Sequence, residues 1–217
     1  MTSPLRYTLV GDGTSDRALM PVLRWLLLQS GTKLPLSASW ADPRRLQAKT
    51  NKLIDRLPRA LDLYPCDLLF VHRDAEKEAA EARHNEIREA LGHLSDPPPT
   101  ISVVPVRMTE AWLLIDEAAI RHAVDNPNGV AKLSLPGVKE LESLSDPKEK
   151  LNEVLRTACD LNGRRLAQFK RDESVRRIRV ADFVLDYSPL LLLPAFSRLQ
   201  QETYSLLGQH NWLSQGS

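Results

Sequence analysis

The chain has 217 residues, 42% of them hydrophobic, and carries a formal net charge of +1 at pH 7. The length predicts one domain with an insertion, or two small domains, and the apolar fraction is sufficient for a buried core. A net charge this close to zero excludes an argument for nucleic-acid binding from overall charge.

Cysteine usage and hydropathy indicate the cellular compartment in which we expect the protein. Cys66 and Cys159 do not make a disulfide framework, and neither has a Cys or His partner at the spacing of a metal site. We therefore expect two reduced thiols in a cytoplasmic protein. The N-terminal segment lacks the apolar run of a signal peptide, and the most apolar stretch, residues 190–194, is too short to span a bilayer. We therefore expect no association with a membrane.

Strand and helix patterns alternate along residues 1–125. Predicted strands cover residues 6–10, 67–71 and 100–106. Predicted helices cover residues 15–29, 75–91 and 109–124. A further predicted helix begins at Asp42-Pro43 and is kinked or ended by Pro58. This order predicts an α/β fold, with a mostly parallel sheet flanked by helices and right-handed connections.

From about residue 126 the pattern becomes helical, with turn-rich connections. Predicted helices cover residues 147–161, 175–187 and 194–207, with a strand at 177–185 as an alternative. We interpret residues 126–217 as a helical insertion or cap that completes the same domain as the α/β core at residues 1–125.

Acidic side chains follow each predicted strand. Asp12 lies just past the first strand, Asp74 and Glu76 lie just past the second, and Glu110 lies beyond the third. Residues two apart in an extended chain point to the same side, so Asp74 and Glu76 can face one pocket. Ligands of open α/β sheets bind outside the carboxyl ends of the strands, where these acids would meet. Converging carboxylates repel one another unless a cation lies between them, and oxygen ligands suit Mg²⁺ or Mn²⁺.

Each of these acids also has a purely structural explanation. Asp12 and Asp16 can cap the helix after the first strand, and the acids after the second strand can cap the next helix. Glu110 can pair with Arg107, and Trp112 fits a core position. The convergence of three strand ends favours a cation site over these separate explanations.

Residues 163–179 form a basic stretch with a net charge of +5, from seven Lys and Arg and two acids. The cations are Arg164, Arg165, Lys170, Arg171, Arg176, Arg177 and Arg179. This local excess of positive charge is typical of contact with a nucleic-acid backbone, and a solvated helix face is the alternative.

Two short segments carry a family resemblance. DGTSD, residues 12–16, resembles the Glu-Gly-x-x-Asp turn that follows the first strand of Toprim domains, and DAE, residues 74–76, resembles their later Asp-x-Asp. Asp12 stands where the first motif has glutamate, and Glu76 stands where the second has its last aspartate, so both differences keep a carboxylate. More narrowly, LVGDGTSDRALMPVL, DLLFVHRDAE, VPVRMTEAWLLIDEAAI and SDPKEKLNEVL resemble the Toprim-related bacterial family DUF4276, over about residues 7–155.

The resemblance implies a Toprim-like, Rossmann-like fold and a nuclease-like site. On this basis Asp74 and Glu76 are expected to bind Mg²⁺ or Mn²⁺, with Asp12 as a further ligand or as the general acid/base. Glu110 is expected to be another ligand or to orient the attacking water. His72 or the arginine after it is expected to stabilise charge on the scissile phosphate, and a structural role for His72 stays open.

The expected function is metal-dependent hydrolysis of phosphodiester bonds in DNA or RNA. The resemblance further implies an ATPase partner of the ABC or AAA type and a role as the effector of an anti-phage defence system. One alternative is a catalytically weak Toprim-like module that docks on the ATPase and regulates it. A phosphatase or phosphotransferase acting on small molecules ranks third.

Overall fold

The structure is a computed structural model that describes residues 3–75, 79–106 and 108–213. In these residues four strands form one sheet, in the order β2-β1-β3-β4, and all neighbouring strands are parallel. The strands are β1 (Leu5–Val10), β2 (Leu36–Trp40), β3 (Leu68–His72) and β4 (Thr100–Val103). The predicted α/β fold with a parallel sheet is therefore confirmed.

Helices cover the sheet and make up most of the C-terminal half. The helices are α1 (Leu19–Gln29), α2 (Pro43–Leu46), α3 (Leu53–Leu63), α4 (Ala80–Gly92), α5 (Glu117–Ala123), α6 (Pro147–Cys159), α7 (Gly163–Arg171), α8 (Glu173–Phe183) and α9 (Pro194–Gln209). Shorter 3₁₀ turns cover Thr14–Ala18, Thr109–Leu113, Val138–Ser143 and Ser188–Leu192.

The central strand β3 lies between β1 and β4, and all five of its residues are buried. Its side chains alternate between two cores. Leu68 and Phe70 enter the larger core, and Leu69 and Val71 enter the smaller one. A strand that is buried on both faces carries apolar side chains at successive positions, as residues 68–71 do here. Because β1 and β3 are parallel neighbours, the loops that follow them lie side by side.

Several boundaries differ from the sequence prediction. The predicted strand at residues 100–106 ends at Val103, two residues before Pro105, which has no N–H to donate to a ladder. The helix that opens at Asp42 ends early, because Gln47 adopts a left-handed backbone with φ 46°. Pro58 lies inside α3, which continues beyond it. The alternative strand at residues 177–185 is wrong, since α8 covers most of it.

Strand β2 is the strand of the described sheet that the sequence patterns do not predict. Its five residues, LSASW, include two serines and no β-branched side chain, and none of them is fully buried. Such a segment lacks the apolar or alternating pattern of a strand. It forms because the backbone of β1 has a free edge, with which residues 36–40 pair in register.

Aromatic side chains join the two halves of the chain within the larger core. The rings of Trp112 and Phe196 are nearly perpendicular, with centroids 5.1 Å apart, and Trp25 lies 6.0 Å from Tyr187. The burial of Trp112 confirms the core position predicted for it. The C-terminal helix α9 therefore packs against α1 and the turn at Thr109–Leu113 through shared apolar contacts.

Two further expectations concern thiols and membranes. Cys66 and Cys159 are both free, as predicted. Across the described ranges, none of the helices has the length and apolarity needed to cross a bilayer.

We predict that Phe196→Ala lowers the free energy of unfolding by about 3–5 kcal/mol, because the buried ring leaves a cavity between the two halves. Chemical denaturation followed by circular dichroism measures the change. Tyr204→Ala, on the exposed face of the same helix, should change it by less than about 0.5 kcal/mol. Similar losses from both substitutions would contradict the shared core.

Candidate acidic site at the sheet edge

The turn after β1 folds around the carboxylate of Asp16, which is only 5% exposed. Asp16 Oδ2 accepts the backbone N–H groups of Asp12 and Gly13, the latter at 3.0 Å, and Oδ1 accepts the Ser15 hydroxyl at 3.3 Å. Gly11 makes room for it, because a Cβ at position 11 would lie 2.7 Å from Asp16 Cβ. The capping explanation therefore applies to Asp16 and not to Asp12.

His72, the last residue of β3, links three loops and is 1% exposed. The carbonyl of Val103 can only accept, so His72 Nδ1 donates to it, at 2.9 Å. His72 Nε2 lies 3.4 Å from Asp74 Oδ1, 3.4 Å from Thr109 Oγ1 and 3.9 Å from Asp16 Oδ1. One imidazole thus faces groups from the loops after β1, β3 and β4.

The surroundings of His72 favour its charged form. Burial opposes the charge, but the hydrogen bond to Asp74 and the charges of Asp16 and Asp74 outweigh burial and raise the pKa of His72 to about 9. His72 is therefore an imidazolium at neutral pH, and it balances part of the negative charge at this edge.

Asp74 and Glu110 lie on the inner side of the edge. Asp74 Oδ1 accepts the backbone N–H of Thr109 at 3.2 Å, while no donor from the described part of the chain bonds to Oδ2. Glu110 is 7% exposed, and burial, together with the charge of Asp74, raises its pKa. Arg177 Nε lies 3.7 Å from Glu110 Oε1 and opposes this shift.

Asp12 lies at the rim of the edge, and its side chain is 41% exposed. Its Oδ1 contacts Arg56 Nη1, at 3.2 Å, and Arg73 Nη1. Arg56 also donates to the carbonyl of Gly11, and Arg73 is further paired with Glu86 of α4. The carboxylate predicted to meet a metal is thus shared by two guanidinium groups.

Glu110 is close enough to Asp74 for the charge of Asp74 to raise its pKa, and Asp12 contacts Arg73, the residue before Asp74. Glu76 and Arg107 lie outside the described residues, so the predicted pairing of Asp74 with Glu76 stays a prediction. Among the residues described, no group of three or more His, Cys, Asp or Glu side chains could hold a metal ion. The metal site therefore also stays a prediction.

The predicted basic stretch divides into two sets in the structure. Exposed side chains on α7 belong to Arg164, Arg165, Lys170 and Arg171. On α8, Arg176 and Arg179 both pair with Asp125, the latter at 2.8 Å. Arg177 is 8% exposed and donates to Asn152 Oδ1 at 2.8 Å. The α7 cations are therefore exposed, whereas the α8 cations are paired within the fold, and contact with a nucleic-acid backbone stays a prediction for both sets.

Sequence reasoning did not identify Arg56 as part of the site, and it considered Asp16 as a helix cap and as part of the DGTSD segment only. Arg56 lies 44 residues from Asp12 along the chain, and no local pattern indicates the pairing. Asp16 is visible in the sequence as the second acid after β1, but capping explains it equally well. Comparisons with protein-family models, with curated proteins and with solved structures find no match for this chain.

We predict that the charge on His72 makes stability depend on pH. A pKa raised from about 6.5 to about 9 gives stabilisation that is complete below pH 6.5 and is lost as the pH rises through 9. The loss in the free energy of unfolding should reach up to about 3 kcal/mol. Urea unfolding between pH 6 and 9.5, with a chelator present, measures it.

Two variants test the assignment of this pH dependence. His72→Gln should be less stable at pH 6 and should flatten the profile, whereas His93→Gln, on the surface, should keep the wild-type slope. Equal slopes in the wild type and His72→Gln would contradict a charged His72.

Proposed function

We propose that the chain hydrolyses phosphodiester bonds with the help of a divalent cation at the acidic edge of the sheet. The observation that supports this most directly is the placement of Asp74. Its carboxylate follows the central strand, is fixed by the Thr109 backbone and faces His72, and its Oδ2 has no donor within the described ranges. The carboxyl edge of a parallel sheet is where ligands of α/β folds bind.

The residues at this edge fit a hard cation in part. Asp74 offers a carboxylate oxygen, and Glu76 is the predicted second ligand. Asp12 becomes a ligand only if it leaves Arg56 and Arg73, because both guanidinium groups contact its Oδ1. A divalent cation, when bound, supplies the positive charge that a phosphodiester needs for attack by water.

Glu110 suits a different task from that of Asp74. Its raised pKa lets it keep a proton at a higher pH than an ordinary glutamate does. A carboxyl group of this kind can hold or move a proton at the attacking water or the leaving oxygen. We therefore assign Glu110 a role in proton transfer or water orientation, with Arg177 limiting how far its pKa rises.

The regulatory docking module is the second candidate, and the charge balance of the edge favours it. Asp12 is paired with Arg56 and Arg73, and Glu110 lies beside Arg177. Carboxylates with cations of their own can converge without a metal ion. The ATPase partner and the role in anti-phage defence rest on the family resemblance alone and are part of this proposal only in that sense.

We predict that Asp74→Asn lowers Mg²⁺- or Mn²⁺-dependent cleavage of DNA or RNA by at least about 100-fold. The amide keeps the size of the side chain and can still accept the Thr109 N–H, but it removes the charge that binds the cation. Loss of a supporting residue around a metal already costs about 10- to 100-fold, so loss of a ligand should cost at least as much. Cleavage of labelled single- and double-stranded substrates measures the rate.

The matched control is Asp62→Asn, which neutralises an exposed aspartate on α3. It should leave the rate unchanged. Mn²⁺ binding to both variants, followed by electron paramagnetic resonance, shows whether the loss arises from the cation. Wild-type protein without metal-dependent cleavage would favour the docking module.

We predict that the exposed cations of α7 contribute to binding of a nucleic-acid backbone. Replacing Arg164, Arg165, Lys170 and Arg171 by Gln should weaken binding equally for different sequences. Each lost phosphate contact should reduce the slope of log affinity against log salt by roughly 0.7 to 0.9. Fluorescence anisotropy at several salt concentrations, with a catalytically silent Asp74→Asn background, measures both quantities.

The control replaces Lys49, Lys52 and Arg59 by Gln, three cations near or on α3. It should leave the salt slope unchanged. An unchanged slope in the α7 variant would assign that surface to solvent or to a protein partner.

A further inference from the structure

Two guanidinium groups from separate parts of the fold meet at one carboxylate oxygen. Arg56 comes from α3 and Arg73 from the loop after β3, and both contact Asp12 Oδ1. We propose that Arg56 and Arg73 form a binding site for a phosphate group, and that Asp12 occupies this site when no phosphate is bound. The inference deepens the proposed function by naming the residues that hold the phosphate. It rests on that function only for the identity of the molecule that carries the phosphate group.

The cations of this site are fixed, whereas its anion is not. The Arg56 side chain is 5% exposed and also bonds to the Gly11 carbonyl. A buried guanidinium without an anionic partner destabilises the folded state, so an anion bound next to Arg56 is stabilising. Asp12, in contrast, is 41% exposed, so its carboxylate can move into water at a much lower cost. An external anion can therefore replace Asp12 without disturbing the buried arginine.

Arg73 is held in place by groups other than Asp12. Its Nε and Nη2 face Glu86, the former at 3.2 Å, and this leaves Nη1 for Asp12. Glu86 also accepts from Arg83, at 3.0 Å. The Arg73 guanidinium therefore keeps its orientation when Asp12 leaves, and α4 provides the support.

A phosphate group fits this arrangement better than a carboxylate does. The two Nη1 donors, of Arg56 and Arg73, converge on a single oxygen of Asp12. A phosphate has several strong acceptor oxygens and a greater charge than a carboxylate, so it can accept from both arginines through separate oxygens. Arg73 precedes Asp74 in the chain, so the phosphate site and the proposed cation ligand share one loop.

The test measures binding of inorganic phosphate by isothermal titration calorimetry, with a chelator and without nucleic acid. Asp12→Asn should increase the affinity by about three- to tenfold, because it removes the internal competitor while keeping the size of the side chain. Arg73→Gln should decrease it by at least about threefold. Inorganic sulfate should follow the same order.

A matched control frees a different arginine. Asp67→Asn breaks the pair between Arg6 and Asp67, which lies before β3 at the opposite end of the strand. It should leave phosphate affinity unchanged. An equal increase in Asp67→Asn would mean that any released arginine binds phosphate, and unchanged or weaker binding in Asp12→Asn would mean that Asp12 does not occupy the site. Either result overturns the proposal.

The two proposals fail in different experiments. Asp74→Asn should bind phosphate with an affinity no lower than that of the wild type, whether or not the wild type cleaves nucleic acid. Thermal melting and circular dichroism establish that each variant is folded. If Arg73→Gln does not fold, Arg73→Lys keeps the charge but not the planar group and should give an intermediate affinity; wild-type affinity in that variant would also count against the site.

Discussion

The buried imidazole of His72 is the interaction on which the acidic edge depends. It lies at the end of the central strand and bonds to the Val103 carbonyl of the neighbouring strand. Its other nitrogen faces Asp16, Asp74 and Thr109, each from a different loop. Two carboxylates this close together would repel each other without a cation between them. The fold supplies that cation itself, from the most buried strand, and thereby fixes the loops on which any chemistry here would occur.

The same principle of internal charge balance extends outward from His72. Asp12 at the rim is matched by Arg56 and Arg73, and Glu110 on the inner side lies beside Arg177. Convergence of acids, by itself, is therefore weaker evidence for a metal ion than the sequence suggests. Asp74 differs from Asp12 and Glu110, because the contacts described for its carboxylate are to the Thr109 N–H and to His72 rather than to an arginine. The case for a cation depends on this carboxylate and on its neighbour at position 76.

The sequence predicts the framework of the fold well, for reasons that particular residues make clear. The first four residues of LLFVH in β3 are apolar because both faces of the strand are buried, and such a run is visible without any structure. LSASW in β2 has no such signal, because this edge strand is held in place by backbone hydrogen bonds to β1 rather than by buried apolar side chains. Local patterns therefore identify the strands with fully buried side chains and miss the strand whose side chains are at most partly buried.

The candidate site is less predictable, because its pairings are long-range. The sequence places acids after three strands, but it does not say which of them turns inward. Asp16 is the buried acid of the first turn, and the neighbouring Gly11 permits it; Asp12 faces the rim. Arg177 has the same chemistry as the exposed arginines of α7, yet it is buried beside Glu110. Charge counted along a stretch of sequence cannot separate a surface cation from one that holds the core together.

The position of Asp12 connects the two binding events proposed for this edge. A cation that recruits the Asp12 carboxylate removes it from Arg56 and Arg73, and so leaves these arginines to an external anion. A phosphate that displaces Asp12 from the arginines frees the same carboxylate for a cation. Each ligand then raises the affinity for the other, and thermodynamic linkage requires the two effects to be equal. A single exposed carboxylate between two fixed arginines is thus sufficient to couple a metal and a phosphate without any movement of the sheet.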